Sequence, residues 1–157
     1  MSYVDKHLLS AETVVFKTQL HWKIFVGPAL LSIVVLLPLT ILALMSEIKA
    51  LAIAPVLLAL LIVGAPWLQR RSSEFAVTNR RVVFKVGFLT TRSLELLLSK
   101  IEAIAVNQSF MGKMLNYGDI VVTGSGGTRE AFSGIQAPLD FRHAVQEVTE
   151  PRAAGER

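Results

Sequence analysis

Residues able to do chemistry are few and scattered in this chain. His7, His21 and His143 are suited to proton transfer or metal ligation near neutral pH, but their spacing matches no ligand set. His143 stands beside an apolar stripe and reads as a surface residue. The Asp and Glu residues are spread along strand exteriors, with no pair placed for acid–base work. There are no cysteines, which excludes disulfides, thiolate metal sites and cysteine nucleophiles. Gly124-Ser125-Gly126-Gly127 has the glycine content of a phosphate loop. It lacks the Lys-Ser/Thr ending and a following helix, so a hairpin turn fits better. The expectation is a protein with no catalytic residue, no cofactor and no metal.

Two sets of residues could bind instead of react. Arg70, Arg71, Arg80, Arg81 and Lys85 form a basic set. It reads either as a topology signal with a solvated face, or as a contact for anionic lipid headgroups worth about 1 kcal/mol per residue. Phe110-Met111-Gly112-Lys113-Met114-Leu115 either folds under the sheet as core or leaves Phe110, Met111 and Met114 as an adaptable surface for a partner.

The element that must position these groups is apolar. Phe25 to Leu68 is two uncharged segments, broken only by Ser46-Glu47-Ile48-Lys49-Ala50. Each is close to the roughly 20 residues that span a bilayer core of about 30 Å, and a helix satisfies its own backbone there. The first segment carries roughly a dozen Leu, Ile, Val and Phe residues, each favouring the bilayer centre by about 0.3–0.6 kcal/mol. Residues 24–69 are therefore expected to form a transmembrane helical hairpin. Pro38 should kink the first helix, and Pro55 and Pro66 sit near the ends of the second segment. Lys17, His21 and Lys23 precede the hairpin and Arg70, Arg71, Arg80 and Arg81 follow it, so both termini are expected to be cytoplasmic. Trp22 and Trp67 mark the same interface. No cleaved signal peptide is expected, because the apolar stretch starts too late and is too long. The net charge of +4 lies largely beside this hairpin, which points to a lipid bilayer and away from nucleic acid.

Around the hairpin the pattern is that of strands. Residues 1–23 form an N-terminal segment in which Ser10-Ala11-Glu12 reads as a turn. Residues 13–18 are rich in β-formers and read as a strand or the start of a helix, position favouring a strand. Residues 72–150 alternate. Short strands are expected at Glu74–Val77, Arg81–Val86 (Val82, Phe84 and Val86 on one face), Ser93–Leu98, Ile101–Val106, Gly118–Thr123 and Arg129–Ile135. Pro138 then opens a helix with Phe141, Ala144, Val145 and Val148 in one stripe. Residues 151–157 are a polar tail expected to be disordered.

Several short pieces, in order, resemble the bacterial pleckstrin-homology (PH) domain family of the membrane-flanked kind. They are Phe75-Ala76-Val77-Thr78-Asn79-Arg80-Arg81-Val82, Gly87-Phe88-Leu89, Leu98-Ser99-Lys100-Ile101 with Asn107-Gln108-Ser109, Gly112, Tyr117-Gly118-Asp119-Ile120, and Pro138-Leu139-Asp140-Phe141. The resemblance covers roughly residues 10 to 148. It implies a bent antiparallel sheet or barrel of seven strands capped by a C-terminal helix. Only six strands follow the hairpin, and residues 13–18 could supply the seventh. Eukaryotic PH domains hold lipid heads beside the first strand–turn–strand, and Arg80 and Arg81 occupy a similar place. The implied work is that of a scaffold at a bacterial inner membrane, binding a protein partner or itself. The rival reading is an accessory subunit of a transporter or channel.

Overall fold

The computed structural model describes Val4 and residues 8–150. His7 and the tail at 151–157 lie outside the described residues. The chain divides into two compact units: Trp22–Arg71, and the rest of the chain on either side of it.

The first unit is the hairpin. Helix α1 runs Trp22–Met45 and helix α2 Lys49–Ser72. The irregularity at Pro38 takes the form of a π turn over Ser32–Leu36, in which the Leu37 N–H reaches back to the Ser32 carbonyl. Proline has no N–H to continue the ladder, and the wider turn just before it absorbs the mismatch. Pro66 lies inside α2, because the helix continues past the apolar stretch to Ser72. The sequence had placed it near the end.

Among the described residues, the elements that build the second unit are seven strands and the helices α3 and α4. Strand β1 (Val14–Thr18) precedes the hairpin. After it come β2 (Glu74–Thr78), β3 (Arg81–Val86), β4 (Arg92–Leu97), β5 (Ile101–Asn107), the short helix α3 (Phe110–Met114), β6 (Tyr117–Gly124), β7 (Arg129–Gln136) and helix α4 (Pro138–Thr149). The strands form two antiparallel sheets, β1-β2-β3-β4 and β5-β6-β7. The chain just after β1 joins them. Leu20 bridges Ile135 of β7, the His21 N–H donates to the Gly134 carbonyl at 2.8 Å, and the Gln136 N–H donates to the Gln19 carbonyl at 3.0 Å.

Connections alternate between two ends of this unit. At the near end the chain leaves at His21 and returns at Ser73. The β3–β4 loop is there, its Gly87 N–H on Ser73 Oγ at 3.3 Å. So is the β5–β6 connection, since the His21 ring lies 4.9 Å from that of Tyr117. The far end holds the β2–β3, β4–β5 and β6–β7 turns, tied by the Leu98 N–H to the Arg80 carbonyl and the Ser125 N–H to the Lys100 carbonyl.

The core is aromatic where the layers meet. Phe84 of β3 stacks on Phe132 of β7 with centroids 4.2 Å apart. Phe75 packs edge-on against both, and Phe141 of α4 closes over Phe84 at 5.4 Å. Phe141, Ala144 and Val145 are buried while Gln146 is exposed, so the helix caps the sheets with the stripe facing in. A departure from simple alternation lies on β2 and β3. Ala76 and Val83 are also buried, on the outer face, beneath Val4 with Leu8 and Val14.

That N-terminal cover is locked by charge. Glu12 is buried and accepts from Arg81 twice, Nε to Oε1 at 2.9 Å and Nη2 to Oε2 at 2.8 Å. The Thr78 hydroxyl donates to Glu12 Oε1 at 2.8 Å, and the Leu9 N–H donates to Oε2 at 2.8 Å. Asn79 completes the joint, its Oδ1 accepting from the Thr13 N–H and its Nδ2 donating to the Ala11 carbonyl. The turn at 10–12 thus buries its carboxylate, contrary to the expectation that acidic groups line strand exteriors. Burial alone would raise the Glu12 pKa. The bonds from Leu9, Arg81 and Thr78 outweigh it and hold the carboxyl below its ordinary value of 4.5.

Two outcomes test this packing. Val145→Asp buries an unpaired charge and should unfold the domain, whereas Gln146→Asp should shift thermal unfolding by no more than about 0.5 kcal/mol. Glu12→Gln breaks a buried pair, a change that costs about 3–5 kcal/mol; the loss should fall at the low end because Glu95 still faces Arg81. A depressed carboxylate stabilises above its unfolded pKa and loses that contribution as pH falls through the folded value. The protection of the Val14, Phe16 and Thr18 amides, relative to their intrinsic exchange, should therefore fall as pH drops below the ordinary carboxylate range in the parent chain, and should be lower and lack that pH dependence in Glu12→Gln.

Candidate functional site

The basic set is divided between the two units. Arg70 and Arg71 end α2, where the Arg71 guanidinium sits 5.4 Å from the Trp67 ring centroid. Arg80 is exposed on the β2–β3 turn at the far end of the other unit. Lys85 is four residues further along β3 than Arg81, opposite Glu74, and so about 13 Å away at roughly 3.3 Å per residue. Arg81 is engaged within the domain by carboxylates. Beyond Glu12, its Nη1 donates to Glu95 Oε2 at 2.6 Å. The Glu12 hydrogen bonds raise its pKa further, against a burial that would lower it.

The position of these arginines also differs from the expectation. Because β1 is the first strand of the sheet, the β2–β3 turn is its second connection. The first connection is the hairpin itself, Trp22–Ser72. Arg80 and Arg81 therefore lie at the opposite end from the point where the chain leaves for the helices.

Phe110, Met111 and Met114 lie on α3 and are exposed, Phe110 at 78% and Met114 at 68%. The reading of this connection as core is overturned, because the local backbone turns these side chains outward. Ser109 Oγ accepts from the Gly112 N–H at 3.1 Å. Gly112 faces the strand so closely that a Cβ there would meet the Tyr117 carbonyl at 2.6 Å. The glycine face is thus the one that packs, and the apolar side chains are left outside.

Among the histidines, His143 is exposed and His21 is buried beside Tyr117. Among the described residues no group of three His, Cys, Asp or Glu is placed to hold a metal. The 124–128 segment forms the β6–β7 turn, with the Gly124 N–H on the Thr128 carbonyl at 2.9 Å and Gly126 and Gly127 at positive φ.

A site not foreseen lies between β5 and α4. Strand β5 is at the edge of its sheet, and a groove of about 370 Å³ runs beside it. Ile101, Glu102, Ala103 and Ile104 form one wall, and Arg142, Val145, Gln146 and Thr149 the other. Arg142 Nε is buried there without a hydrogen-bond partner among the described residues. An edge strand offers unpaired backbone groups, and Ala103 and Ala105 are exposed on it. Those alanines were the available signal; in the sequence they only blurred the register of the strand.

A family model described as Bacterial PH domain matches residues 24–149. The curated proteins yield no match, and the solved structures yield none. The matched region takes in the hairpin, all the later strands and the capping helix. With most of its length accounted for in this way, the chain belongs to the bacterial PH domain family.

Proposed function

We propose that the protein is a membrane-anchored interaction module. In this reading α1 and α2 cross a bacterial inner membrane as a hairpin, both termini are cytoplasmic, and the PH-like domain binds a protein partner or a second copy along the open edge of β5. PH domains commonly mediate protein or lipid interactions and are generally non-catalytic.

The observation that carries the reading is the state of the two helices. Each has 24 residues, and their most apolar 18-residue stretches have mean hydropathy of 2.5 and 2.4, yet only 6% and 11% of those stretches are buried. A core helix of a soluble protein hides its side chains; these leave theirs open, which favours lipid as the missing solvent. Trp22 and Trp67 are exposed at the ends that join the domain, and the basic Lys23, Arg70 and Arg71 lie beside them, which supports a cytoplasmic domain. The transporter reading has less support. The groove between the helices is lined by Phe25, Ile33, Leu36 and other apolar residues. Its two hydroxyls, Ser32 and Thr40, donate to the Pro28 and Leu36 carbonyls of their own helix, leaving no polar path. For the domain, the β5 edge beside Arg142 suits strand addition, in which a peptide backbone pairs with the edge and side-chain pockets set specificity.

The chain has no cysteine, so single-cysteine variants report topology cleanly. Ala50→Cys should react with an impermeant maleimide in intact cells with the outer membrane opened, and Ser125→Cys only after lysis. The reverse pattern, or release of the protein by alkaline carbonate, would refute the anchoring as drawn. A photo-crosslinking residue at Ala103 should trap a discrete adduct in native membranes while the same residue at Gly126 does not. Equal yields at the two positions would remove β5 as the docking edge.

A further inference from the structure

We infer that the near end of the domain is itself a membrane-contacting face: an apolar rim formed by Phe88, Leu89, Phe110, Met111, Met114 and Leu139 that seats in the interfacial layer of the bilayer. The inference rests on the reading of α1 and α2 as membrane spans.

The rim comes from three connections that the topology gathers at one end. Phe88 and Leu89 lie on the β3–β4 loop, bound through Gly87 to Ser73. Phe110, Met111 and Met114 lie on α3 in the β5–β6 connection. Leu139 opens α4, next to a backbone bond from the Ala137 N–H to the Asn116 carbonyl at 2.9 Å. Leu89 is 94% exposed and all six are open to solvent. Large apolar side chains gathered at one end of a domain mark a surface that meets something other than water. The far end is built differently. Its turns carry Asn79, Arg80, Ser99, Lys100, Ser125, Gly126, Gly127 and Thr128, and among the described residues Leu9, Val15 and Leu97 are the exposed large apolar residues towards that side.

Covalent connection identifies the cover. Trp22, the first residue of α1, follows His21 directly, and Ser72, the last of α2, precedes Ser73 directly. Consecutive Cα atoms are about 3.8 Å apart. Wherever the two helices enter lipid, the near end is therefore held at that surface, at an effective concentration no free protein could match. The charges agree. Residues 87–91 and 108–116 contain a single charged residue, Lys113, so these two segments offer an anionic surface a cation and no carboxylate, while Asp140 follows Leu139 on α4. Large apolar side chains beside a cation are the composition of an interfacial contact.

Nitroxide labels test the rim. Single-cysteine variants Leu89→Cys, Met114→Cys, Thr128→Cys and Leu42→Cys of the full chain are labelled and reconstituted into phosphatidylethanolamine–phosphatidylglycerol vesicles. Collision rates with oxygen and with a water-soluble nickel chelate are then compared. The oxygen-to-nickel ratio at positions 89 and 114 should exceed that at 128 several-fold and fall below that at 42, within α1. If 42 is in lipid while 89 and 114 match 128, the rim faces water and this inference fails alone. If 42 is itself open to nickel, the membrane reading fails and takes the rim with it. Spin–spin broadening at 89 or 114 that vanishes on dilution with unlabelled chain would mean that a second copy covers the rim, and would overturn the proposal.

Discussion

One run of backbone, Val14 to His21, must hydrogen-bond to two sheets in succession. Its first part pairs with β2 from Val14 to Thr18; its last part pairs with β7 through Leu20 and His21. Without it, β2 and β7 would each present a free edge, and free edges invite association with other chains. The aromatic contacts between Phe84 and Phe132 require the two sheets to face each other, and this shared strand is what sets them so. The Glu12–Arg81 pair fixes the strand at its start, and the bond from the Thr18 hydroxyl to the Gln136 carbonyl at 2.7 Å fixes it near its end.

The stretch that carries the family resemblance, Phe75 to Val82, is thereby explained as a determinant of fold. Phe75, Val77 and Val82 fill the core. Thr78, Asn79 and Arg81 receive the segment that precedes the hairpin. Of the charged residues in this stretch only Arg80 is left pointing to solvent. The most recognisable residues of the chain are committed to holding it together, and the surfaces proposed for other molecules lie elsewhere, on β5 with α4 and at the near end.

What was legible in the sequence was whatever depends on neighbours along the chain. Alternation placed β2 to β7 within a residue or so at their ends, and the Phe141, Ala144, Val145 stripe placed α4. What was hidden depends on distant partners. Glu12 looked like a turn residue because its ligand Arg81 is 69 residues away. Val83 looked like the wet side of a strand because Val4, which covers it, lies before the hairpin. Arg81 looked like a free cation for the same reason. The exposure of Phe110 and Met114 turned on the close approach of Gly112 to Tyr117, which composition does not reveal. The groove beside β5 is a product of two elements packing, and no single segment announces it.

Inserting the whole hairpin between β1 and β2 has a consequence for biosynthesis. Thr13 leaves the ribosome 66 residues ahead of Asn79, to which it bonds. At about 5–20 residues per second the first strand waits roughly 3–13 s before its partner exists. During that interval Val14, Val15 and Phe16 are an unpaired apolar strand, while the intervening helices can form from local contacts alone. Maturation is thus ordered in time: the hairpin first, the sheet second. A nascent chain whose helices failed to fold back would hold β1 and β2 apart and never close the domain. The arrangement makes completion of the sheets a record that the apolar helices have already folded.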